Sequence, residues 1–311
     1  MISSLTDNQD IIREMTGQEL VRLAQELGVP LTQRHMSRSS IEKDLIDTLN
    51  FHKGLATKEP VYKLGVPAID LRGLRKEFGR KVAVSSLDMH VSPGEIVGLV
   101  GPNGAGKTTT LRVLSGIIKP TDGVSIIDGI DIQKNPLKAK LRIGYIPERP
   151  TCYPSLRVIE YLTFISRIYN VPRIDALLRI REFVSRFQLD EFLNSYIGTL
   201  SKGNLQRALL AGIFVREPPF ILALDEPIYG LDPRGAWSLK SLLRELKAEG
   251  SAILVSTHIL EVAEGLCDRF VIMDHGNVVG KGTIDELKKA NPGASNLEEV
   301  FLMLTGGIPE E

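Results

Sequence analysis

The chain has 311 residues, of which 43% are hydrophobic and 24% are charged, and its formal net charge at pH 7 is zero. This size and balance predict a globular protein of one large or two modest domains, and they disfavour a chain that binds nucleic acid or anionic lipid through bulk charge. No apolar run approaches the roughly 20 residues that a helix needs to cross a bilayer, and the two cysteines lack metal-ligand spacing.

Residues 1–65 are predicted to form a small helical domain that ends in a linker. Two capping-box patterns, at Thr16–Glu19 and Ser39–Glu42, each introduce leucines and isoleucines at helical spacing. Residues 54–67 contain two prolines and several charges, which is typical of a linker. Because two short helices bury little apolar surface, we expect this part to dock on the rest of the chain or on a partner.

From residue 68 onward, strand patterns alternate with helical ones. The segments "AIDLRGLRKEFG" and "SSLDMHVSPGE" alternate apolar and polar residues, whereas "EIVGLV", "FILALDE" and "AILVSTH" are apolar runs typical of strands. The segment "RFVIMDHGNVVGKG" indicates two strands around a tight turn. Strands interleaved with helices predict an α/β fold with an open, mostly parallel sheet that helices cover on both faces.

A block of helical periodicity interrupts these strands at about residues 150–200. We predict that it forms a helical subdomain within one domain that spans residues 66–290. Residues 291–311 then form a short C-terminal tail.

A glycine-rich loop follows the apolar run at residues 96–100. It fits the pattern G-x-x-x-x-G-K-[ST] without a gap, and a helix can begin directly after it. Such glycines let main-chain N–H groups converge on phosphate oxygens at a helix N-terminus, so a loop without a ligand is the weaker interpretation. The predicted nucleotide-binding residues of this stretch are Gly101, Pro102, Asn103, Gly104, Ala105, Gly106, Lys107, Thr108 and Thr109.

A second nucleotide-site pattern is "FILALDEP". It places Asp225 at the carboxyl end of a buried strand, where open α/β sheets bind ligands. We expect Asp225 and the Thr108 hydroxyl to hold Mg²⁺, and Glu226 to orient and deprotonate the attacking water. Taken alone, the same residues would suit a strand that ends in two solvated acids, but the phosphate loop makes that reading the weaker one.

The nucleotide is expected to be ATP, because no guanine-reading N-K-x-D pattern is visible. Phe78 stands just before a glycine and suits a ring that stacks on adenine. From the sequence alone it suits a core aromatic equally well.

In this order, the motifs resemble the nucleotide-binding subunit of ATP-binding cassette (ABC) transporters over about residues 68–305. The phosphate loop is "GPNGAGKTT", and "LSKGNLQR" matches the signature sequence that is specific to this family. "LALDEP" is followed by "GLDP", and then by "STH" with the switch histidine. The resemblance implies a RecA-like P-loop NTPase core with an antiparallel β subdomain and a helical subdomain.

The resemblance also implies that two subunits pair head to tail around two ATP molecules. Ser201 and Gly203 of one subunit would then meet the γ-phosphate held by Lys107 of the other. His258 would contact the same phosphate and steady the water that Glu226 positions, and Asp232 would link the two sites. ATP and Mg²⁺ are therefore the expected cofactors.

Three positions depart from the family's usual residues. In the signature, Lys202 replaces a glycine and Asn204 replaces the common glutamine. Glu148 in "IGYIPERP" stands where many relatives have a glutamine that touches Mg²⁺ and the water. A carboxylate still ligates Mg²⁺, so we expect Glu148 to serve as a metal ligand and catalytic-site residue, with activity retained.

By resemblance, residues 150–161 and the helices after them form a groove that grips a transmembrane permease subunit. The tail "NLEEVFLMLTGG" resembles the short tail of exporter ATPases, and by this resemblance we expect no regulatory domain of the kind seen in some importers. The expected protein is thus a peripheral ATPase at the cytoplasmic face of the cell membrane, paired with a second ATPase subunit that is a copy of itself.

Two other functions stay open at this point. The N-terminal part faintly resembles the helix–loop–helix of SAP-type nucleic-acid modules, with Arg34, His35, Arg38 and Lys43 near a loop, which would suit a soluble ABC-type ATPase that acts on nucleic acid. Against nucleic-acid binding, residues 1–65 hold eight Lys and Arg but nine Asp and Glu. An adaptor that binds ATP without hydrolysing it is opposed by Lys107 and the acidic pair that follows the buried strand.

Overall fold

The computed structural model describes residues 16–18, 20–21, 37–39, 41–43, 65–149, 152–216 and 221–306. Most of the predicted N-terminal helices and nearly all of the predicted linker lie outside these residues. The first of these helices begins after Thr16, where it was predicted, and the main-chain N–H of Leu20 donates to the Thr16 carbonyl oxygen at 3.0 Å.

The predicted cap at Ser39 is wrong. Ser39 already lies within a helix that includes Arg38. The Glu42 carboxylate pairs with the Arg38 guanidinium at 2.6 Å, one helical turn away. The sequence pattern of a capping box can therefore also arise inside a helix, where the acid serves a neighbouring cation.

Six of the described strands form the main sheet, in the order β10-β9-β3-β8-β7-β6. Their pairing is parallel except for the edge strand β10, which runs antiparallel to β9. The strands are β3 (Ile96–Val100), β6 (Ile143–Ile146), β7 (Ile221–Asp225), β8 (Ala252–Thr257), β9 (Arg269–Asp274) and β10 (Asn277–Gly282). This confirms the mostly parallel sheet of the predicted α/β fold.

A second sheet is antiparallel and has the order β2-β1-β4-β5. Its strands are β1 (Ile69–Phe78), β2 (Lys81–Val91), β4 (Asp122–Ile127) and β5 (Ile130–Asp131). Strand β2 also lies against β10 of the main sheet. The alternating apolar residues of β1 and β2 bury one face of this sheet, as their patterns predicted.

The central strands β3, β7 and β8 are buried along their whole length. Such strands suit a parallel sheet with helices on both faces, because neither face meets water. Strands β9 and β10 form the predicted hairpin around His275 and Gly276, whose φ angles are +45° and +80°. Two consecutive positive φ angles are the geometry of a type I′ turn, which matches the twist of the strands.

From residue 65 onward, the α-helices among the described residues are α1 (Lys107–Leu114), α2 (Pro136–Lys140), α3 (Val158–Ile168), α4 (Arg173–Arg186), α5 (Lys202–Phe214), α6 (Pro233–Ala248), α7 (Leu260–Glu264), α8 (Ile284–Ala290) and α9 (Leu297–Thr305). Helices α3, α4 and α5 pack on one another and account for the helical block that the sequence predicts. Among the described helices, none combines the length and the apolar character that a membrane span requires.

A buried arginine connects this helical region to the main sheet. Arg216 donates from its guanidinium to the main-chain carbonyl oxygens of Leu141, at 2.6 Å, and Ile143, at 2.9 Å. The same guanidinium lies 3.9 Å from the centre of the Tyr169 ring, at the end of α3. These contacts attach the start of β6 to the helices, and the segment after β6 carries Glu148.

Candidate nucleotide-binding site

Four neighbouring strands of the main sheet end at the candidate site. Strand β3 leads into the phosphate loop, β8 into His258, β7 into Glu226, and β6 into the segment with Glu148. Because β3, β8, β7 and β6 run parallel, their carboxyl ends lie at one edge of the sheet. The topology therefore gathers residues that are more than 150 positions apart along the chain.

The phosphate loop is shaped by glycines at positions where a side chain does not fit. A Cβ on Gly101 would lie 2.1 Å from the main-chain oxygen of Met273, in β9. A Cβ on Gly106 would lie 2.5 Å from the oxygen of Ala83, in β2, and φ of Gly106 is +108°. These glycines let the loop pack closely against two strands, and the Ala105 N–H donates to the Pro102 oxygen at 3.2 Å within the loop.

Lys107 is buried at the first position of α1, and its side chain turns back over the loop. Its ammonium donates to the carbonyl oxygens of Gly101, at 2.6 Å, and Pro102, at 3.0 Å. Burial lowers the pKa of Lys107, and the negative charges of Glu226, Asp225 and Glu148 oppose this shift in that order. The cation is thus within electrostatic reach of all three predicted acidic site residues.

Asp225 is 1% exposed at the end of β7, and one of its two carboxylate oxygens lacks a partner. The other oxygen, Oδ1, accepts a hydrogen bond from the Ser256 hydroxyl in the neighbouring strand. Burial raises the pKa of Asp225, and the Ser256 hydrogen bond and the nearby Thr108 hydroxyl oppose the rise. A buried carboxylate oxygen without a partner, beside a threonine hydroxyl, fits a site for Mg²⁺, which prefers such hard oxygen ligands.

Glu226 and His258 are in direct contact. The His258 Nδ1 lies 2.7 Å from Oε1 of Glu226, and the His258 main-chain N–H donates to that oxygen at 2.9 Å. The Thr257 hydroxyl donates to the other carboxylate oxygen, Oε2, at 3.0 Å. Glu226 has a φ angle of +50°, a left-handed conformation that is uncommon for a residue other than glycine. Such strain at a polar loop is typical of a functional position.

The signature segment lies at the N-terminus of α5. Ser201 is the N-cap, and its hydroxyl oxygen accepts a hydrogen bond from the Asn204 N–H at 3.3 Å. Ser201 and Lys202 are exposed, whereas Gln206 is buried and donates from its side chain to the Pro227 oxygen at 2.6 Å. Gln206 therefore anchors the start of the helix on its buried side, while Ser201 and Lys202 leave the N-terminus accessible.

Asp232 caps helix α6 and also pairs with α5. Its carboxylate accepts a hydrogen bond from the Gly235 N–H at 2.7 Å and contacts the Arg207 guanidinium at 2.6 Å. The Gly235 hydrogen bond, followed by the Arg207 contact, lowers the pKa of Asp232. The predicted link residue is thus a fixed, ionised group beside the signature helix.

Phe78 ends β1 with 51% of its surface exposed, so the core-aromatic interpretation is wrong. The ammonium of Lys76 lies 4.8 Å from the ring centre. A half-exposed ring remains available for stacking on a base. Glu148 is likewise exposed, and its charge acts on both Lys107 and Asp225.

Ser256, Thr257 and Tyr229 also belong to the site and were not predicted. Ser256 and Thr257 hold the two carboxylates from the neighbouring strand, and Tyr229 packs against the His258 ring. The "STH" motif gave a signal for the first two, since hydroxyls that end one parallel strand lie beside acids that end the next.

Comparison with known proteins places this geometry in a family. A family model described as ABC transporter matches residues 84–229. The uncharacterized ABC transporter ATP-binding protein YxlF of Bacillus subtilis is 38% identical over 221 residues, which cover 71% of this chain and 72% of that protein. The Nod factor export ATP-binding protein I of Cupriavidus metallidurans is 33% identical over 230 residues, which cover 74% of this chain and 76% of that protein.

Solved structures agree with these relatives. The structure of an ATP-binding subunit of an ABC transporter superposes with a TM-score of 0.73 at 34% identity, and covers 76% of this chain and 99% of that one. A dimeric, post-hydrolysis ATP-binding cassette bound to ADP and Pi superposes with a TM-score of 0.63 at 25% identity, over 69% of this chain and 98% of that one. The fold, the motifs in their order and the length of the matches agree: the chain belongs to the family of ABC transporter ATP-binding subunits, which are ATPases.

Proposed function

We propose that this ATPase acts as a homodimer that binds two ATP molecules between head-to-tail subunits and uses their hydrolysis to drive export through a separate permease. The observation that carries this proposal is the open N-terminus of α5. The first N–H groups of a helix have no main-chain partner within the helix; here the Ser201 hydroxyl accepts from that of Asn204, and the earlier ones lie beside exposed Ser201. A phosphate that arrives on a second subunit would satisfy them.

Each remaining group has a role in such a sandwich. Lys107 and the loop glycines would bind the β- and γ-phosphates, and Phe78 would stack on the adenine. Ser201 and Gly203 of the opposite subunit would close the site over the γ-phosphate, and Asp232 would lie at the junction between the two sites. The residues of the loop from Pro102 to Ala105, with Thr109 behind them, would complete the phosphate cradle.

Hydrolysis needs a base, and Glu226 is placed to act as one. It would take a proton from the water that attacks the γ-phosphate, while His258 holds the Glu226 carboxylate and contacts the phosphate. Thr108, Asp225 and Glu148 would hold Mg²⁺, which would neutralise charge on the β- and γ-phosphates when bound. Loss of the γ-phosphate would remove the contacts that join the subunits, and the dimer would open.

The permease is expected to bind the helical region. Tyr153 and Phe164 are 57% and 38% exposed there, and their rings meet edge to face at 5.6 Å. Exposed aromatic pairs of this kind are typical of interface anchors. A relative named for Nod factor export supports the export direction, and the structure of CbiO1 from Clostridium perfringens is described as part of an ABC transporter complex. Binding to a permease would hold the chain at the cytoplasmic face of the membrane.

The decisive experiment uses Glu226→Gln. This change removes the base but keeps the shape of the side chain, so the variant should bind ATP, remain dimeric and hydrolyse less than about 1% of the wild-type amount. Light scattering after size exclusion, with and without Mg-ATP, measures the dimer. The matched control is Glu226→Gln combined with Lys107→Ala, which should stay monomeric with ATP. A monomeric Glu226→Gln protein at saturating ATP would refute the proposal.

A further inference from the structure

The loop between β7 and α6 is fastened to the signature helix of the same subunit. The Gln206 side chain donates to the Pro227 oxygen at 2.6 Å and is itself 3% exposed. A Cβ on Gly203 would lie 3.2 Å from the Gly230 oxygen, so the main chains of helix and loop are in close contact. Motion of one of these segments therefore displaces the other.

Tyr229 lies between Pro227 and Gly230, the two loop residues that contact the helix, and its aromatic ring is exposed. The Lys202 ammonium lies 4.8 Å from the centre of the Tyr229 ring, which is a cation–π contact. The centres of the Tyr229 and His258 rings are 6.0 Å apart, with planes inclined by 57°. One ring thus touches both the start of the signature helix and the imidazole that holds Glu226.

Lys202 and His258, the two residues that contact the Tyr229 ring, would act on different nucleotides in the proposed dimer. His258 follows β8 and belongs to the nucleotide site of its own subunit, whereas Lys202 belongs to the surface that would close the site on the opposite subunit. Lys202 also stands where the family's signature usually has a glycine, so a longer side chain is present for Tyr229 to hold. A ring at position 229 accommodates that ammonium next to the catalytic groups.

We propose that Tyr229 is a positioning residue that couples the two ATP sites, by joining Lys202 at the start of the signature helix to the imidazole of His258. The inference rests on the proposed dimer and deepens it. Closure of the signature over the partner's γ-phosphate moves Lys202, and the Tyr229 ring transmits that movement to the His258–Glu226 pair of its own site. Both contacts are made by the ring rather than by the hydroxyl.

The test measures steady-state ATP hydrolysis by the full chain in Tyr229→Ala and Tyr229→Phe. Because small displacements of a catalytic group cost large factors in rate, Tyr229→Ala should lower kcat by about tenfold and leave KM for ATP within about twofold. The Hill coefficient for ATP should fall toward one, since the two sites lose their coupling. Tyr229→Phe keeps the ring and should restore most of kcat and of the cooperativity.

Tyr196→Ala is the matched control. Tyr196 is 48% exposed, like Tyr229, and the Arg157 guanidinium lies 5.3 Å from the centre of its ring, but it belongs to the helical region. Its loss should leave kcat and the Hill coefficient of the isolated ATPase unchanged. Lys202→Met removes the cation and keeps the stem, and its effect on kcat should not add to that of Tyr229→Ala in the double variant.

The outcomes separate this inference from the proposed dimer. If wild type hydrolyses ATP cooperatively and Glu226→Gln dimerises, yet Tyr229→Ala matches wild type in kcat and Hill coefficient, the coupling role is overturned and the dimer stands. Loss in Tyr229→Phe equal to that in Tyr229→Ala would also overturn it, because the ring would then not be the active feature. If Glu226→Gln stays monomeric, the dimer itself has failed.

Discussion

One oxygen of the Glu226 carboxylate contacts His258 twice, through the imidazole Nδ1 at 2.7 Å and through the main-chain N–H at 2.9 Å. The other oxygen accepts from the Thr257 hydroxyl at 3.0 Å. Both carboxylate oxygens are thus oriented by the two residues at the end of strand β8. The direction in which the base points is set by a neighbouring strand rather than by its own loop.

Removal of the Thr257 hydroxyl should slow hydrolysis. Thr257→Val keeps the side-chain volume but leaves the Oε2 atom of Glu226 without its donor, and Thr257 also accepts from the Ile259 N–H at 3.1 Å. We expect kcat to fall by about tenfold with little change in KM for ATP, because the binding residues are untouched. Thr257→Ser retains the hydroxyl and should recover most of the rate. Equal activity of the valine variant and wild type would contradict this role.

Two inactive variants should restore activity when mixed. Lys107→Ala lacks the phosphate-binding lysine and keeps Ser201, whereas Ser201→Glu keeps the lysine and repels the opposite γ-phosphate. In the proposed dimer, each variant would form only defective sites with itself, whereas a mixed pair would contain one complete site. If subunits pair at random, an equal mixture should show about a quarter of wild-type hydrolysis, and less to the extent that the two sites are coupled. A mixture as inactive as its components would argue against sites shared between subunits.

Phe78 should contribute to ATP affinity and little to catalysis. Its ring is half exposed, so Phe78→Ala should fold normally and lose only the stacking surface. An aromatic stack is worth about 0.5–1.5 kcal/mol, which predicts a rise in KM for ATP of about two- to twelvefold with kcat nearly unchanged. Phe78→Trp should bind ATP at least as well as wild type. A fall in kcat at constant KM would assign Phe78 another role.

Asp225→Asn should stabilise the nucleotide-free protein while it abolishes hydrolysis. Burial raises the pKa of Asp225, so the folded protein holds this proton more tightly than the unfolded chain does. Stability from this group is present at low pH and is lost as the pH rises through its folded pKa. The amide should therefore raise Tm by about 2–4 °C at pH 8, or on the order of 1 kcal/mol, and by less at pH 5.

Differential scanning fluorimetry without nucleotide measures this effect. Asp285→Asn changes an exposed aspartate in the first turn of α8 and serves as the control, with an expected change within about 0.5 kcal/mol at both pH values. A lower Tm for Asp225→Asn at pH 8 would show that the ionised carboxylate stabilises the fold.

Glu148→Gln restores the glutamine that many relatives have at this position, in the segment after β6. Glu148 is exposed and acts on Lys107 and Asp225 through its charge, so the amide keeps the shape and removes a negative charge from the site. We expect kcat to change by less than about tenfold, because a carboxylate and an amide oxygen both ligate Mg²⁺. A larger change in kcat, in either direction, would mean that the carboxylate itself helps to set the rate of hydrolysis in this enzyme. ATPase assays over a range of Mg²⁺ concentrations measure it.

The sequence predicted most of the fold because its signals are local. Apolar runs, such as the one that ends at Val100, and the turn at His275 and Gly276 specify their conformation within a few residues. The capping pattern at Ser39 failed because Ser39 lies inside the helix, where Glu42 pairs with Arg38 one helical turn before it. Local patterns cannot decide between two such partners.

The contacts that hold the site together could not be predicted in the same way. Thr257 reaches Glu226 only because β8 lies beside β7, and that neighbourhood depends on the order of strands in the sheet. The contact between Lys202 and Tyr229 likewise joins a helix to a loop that follows a different strand. Such pairs have no spacing rule, since they depend on how separate elements are packed.

The open start of helix α5 has a consequence for when the enzyme works. If a second copy completes the site, the rate of hydrolysis depends on the concentration of the protein. Dilute monomers would then hydrolyse little ATP. A permease that holds two copies side by side would raise their effective concentration to roughly the millimolar range. Assembly on the permease would then activate hydrolysis, and ATP turnover would be confined to copies that are bound to a permease.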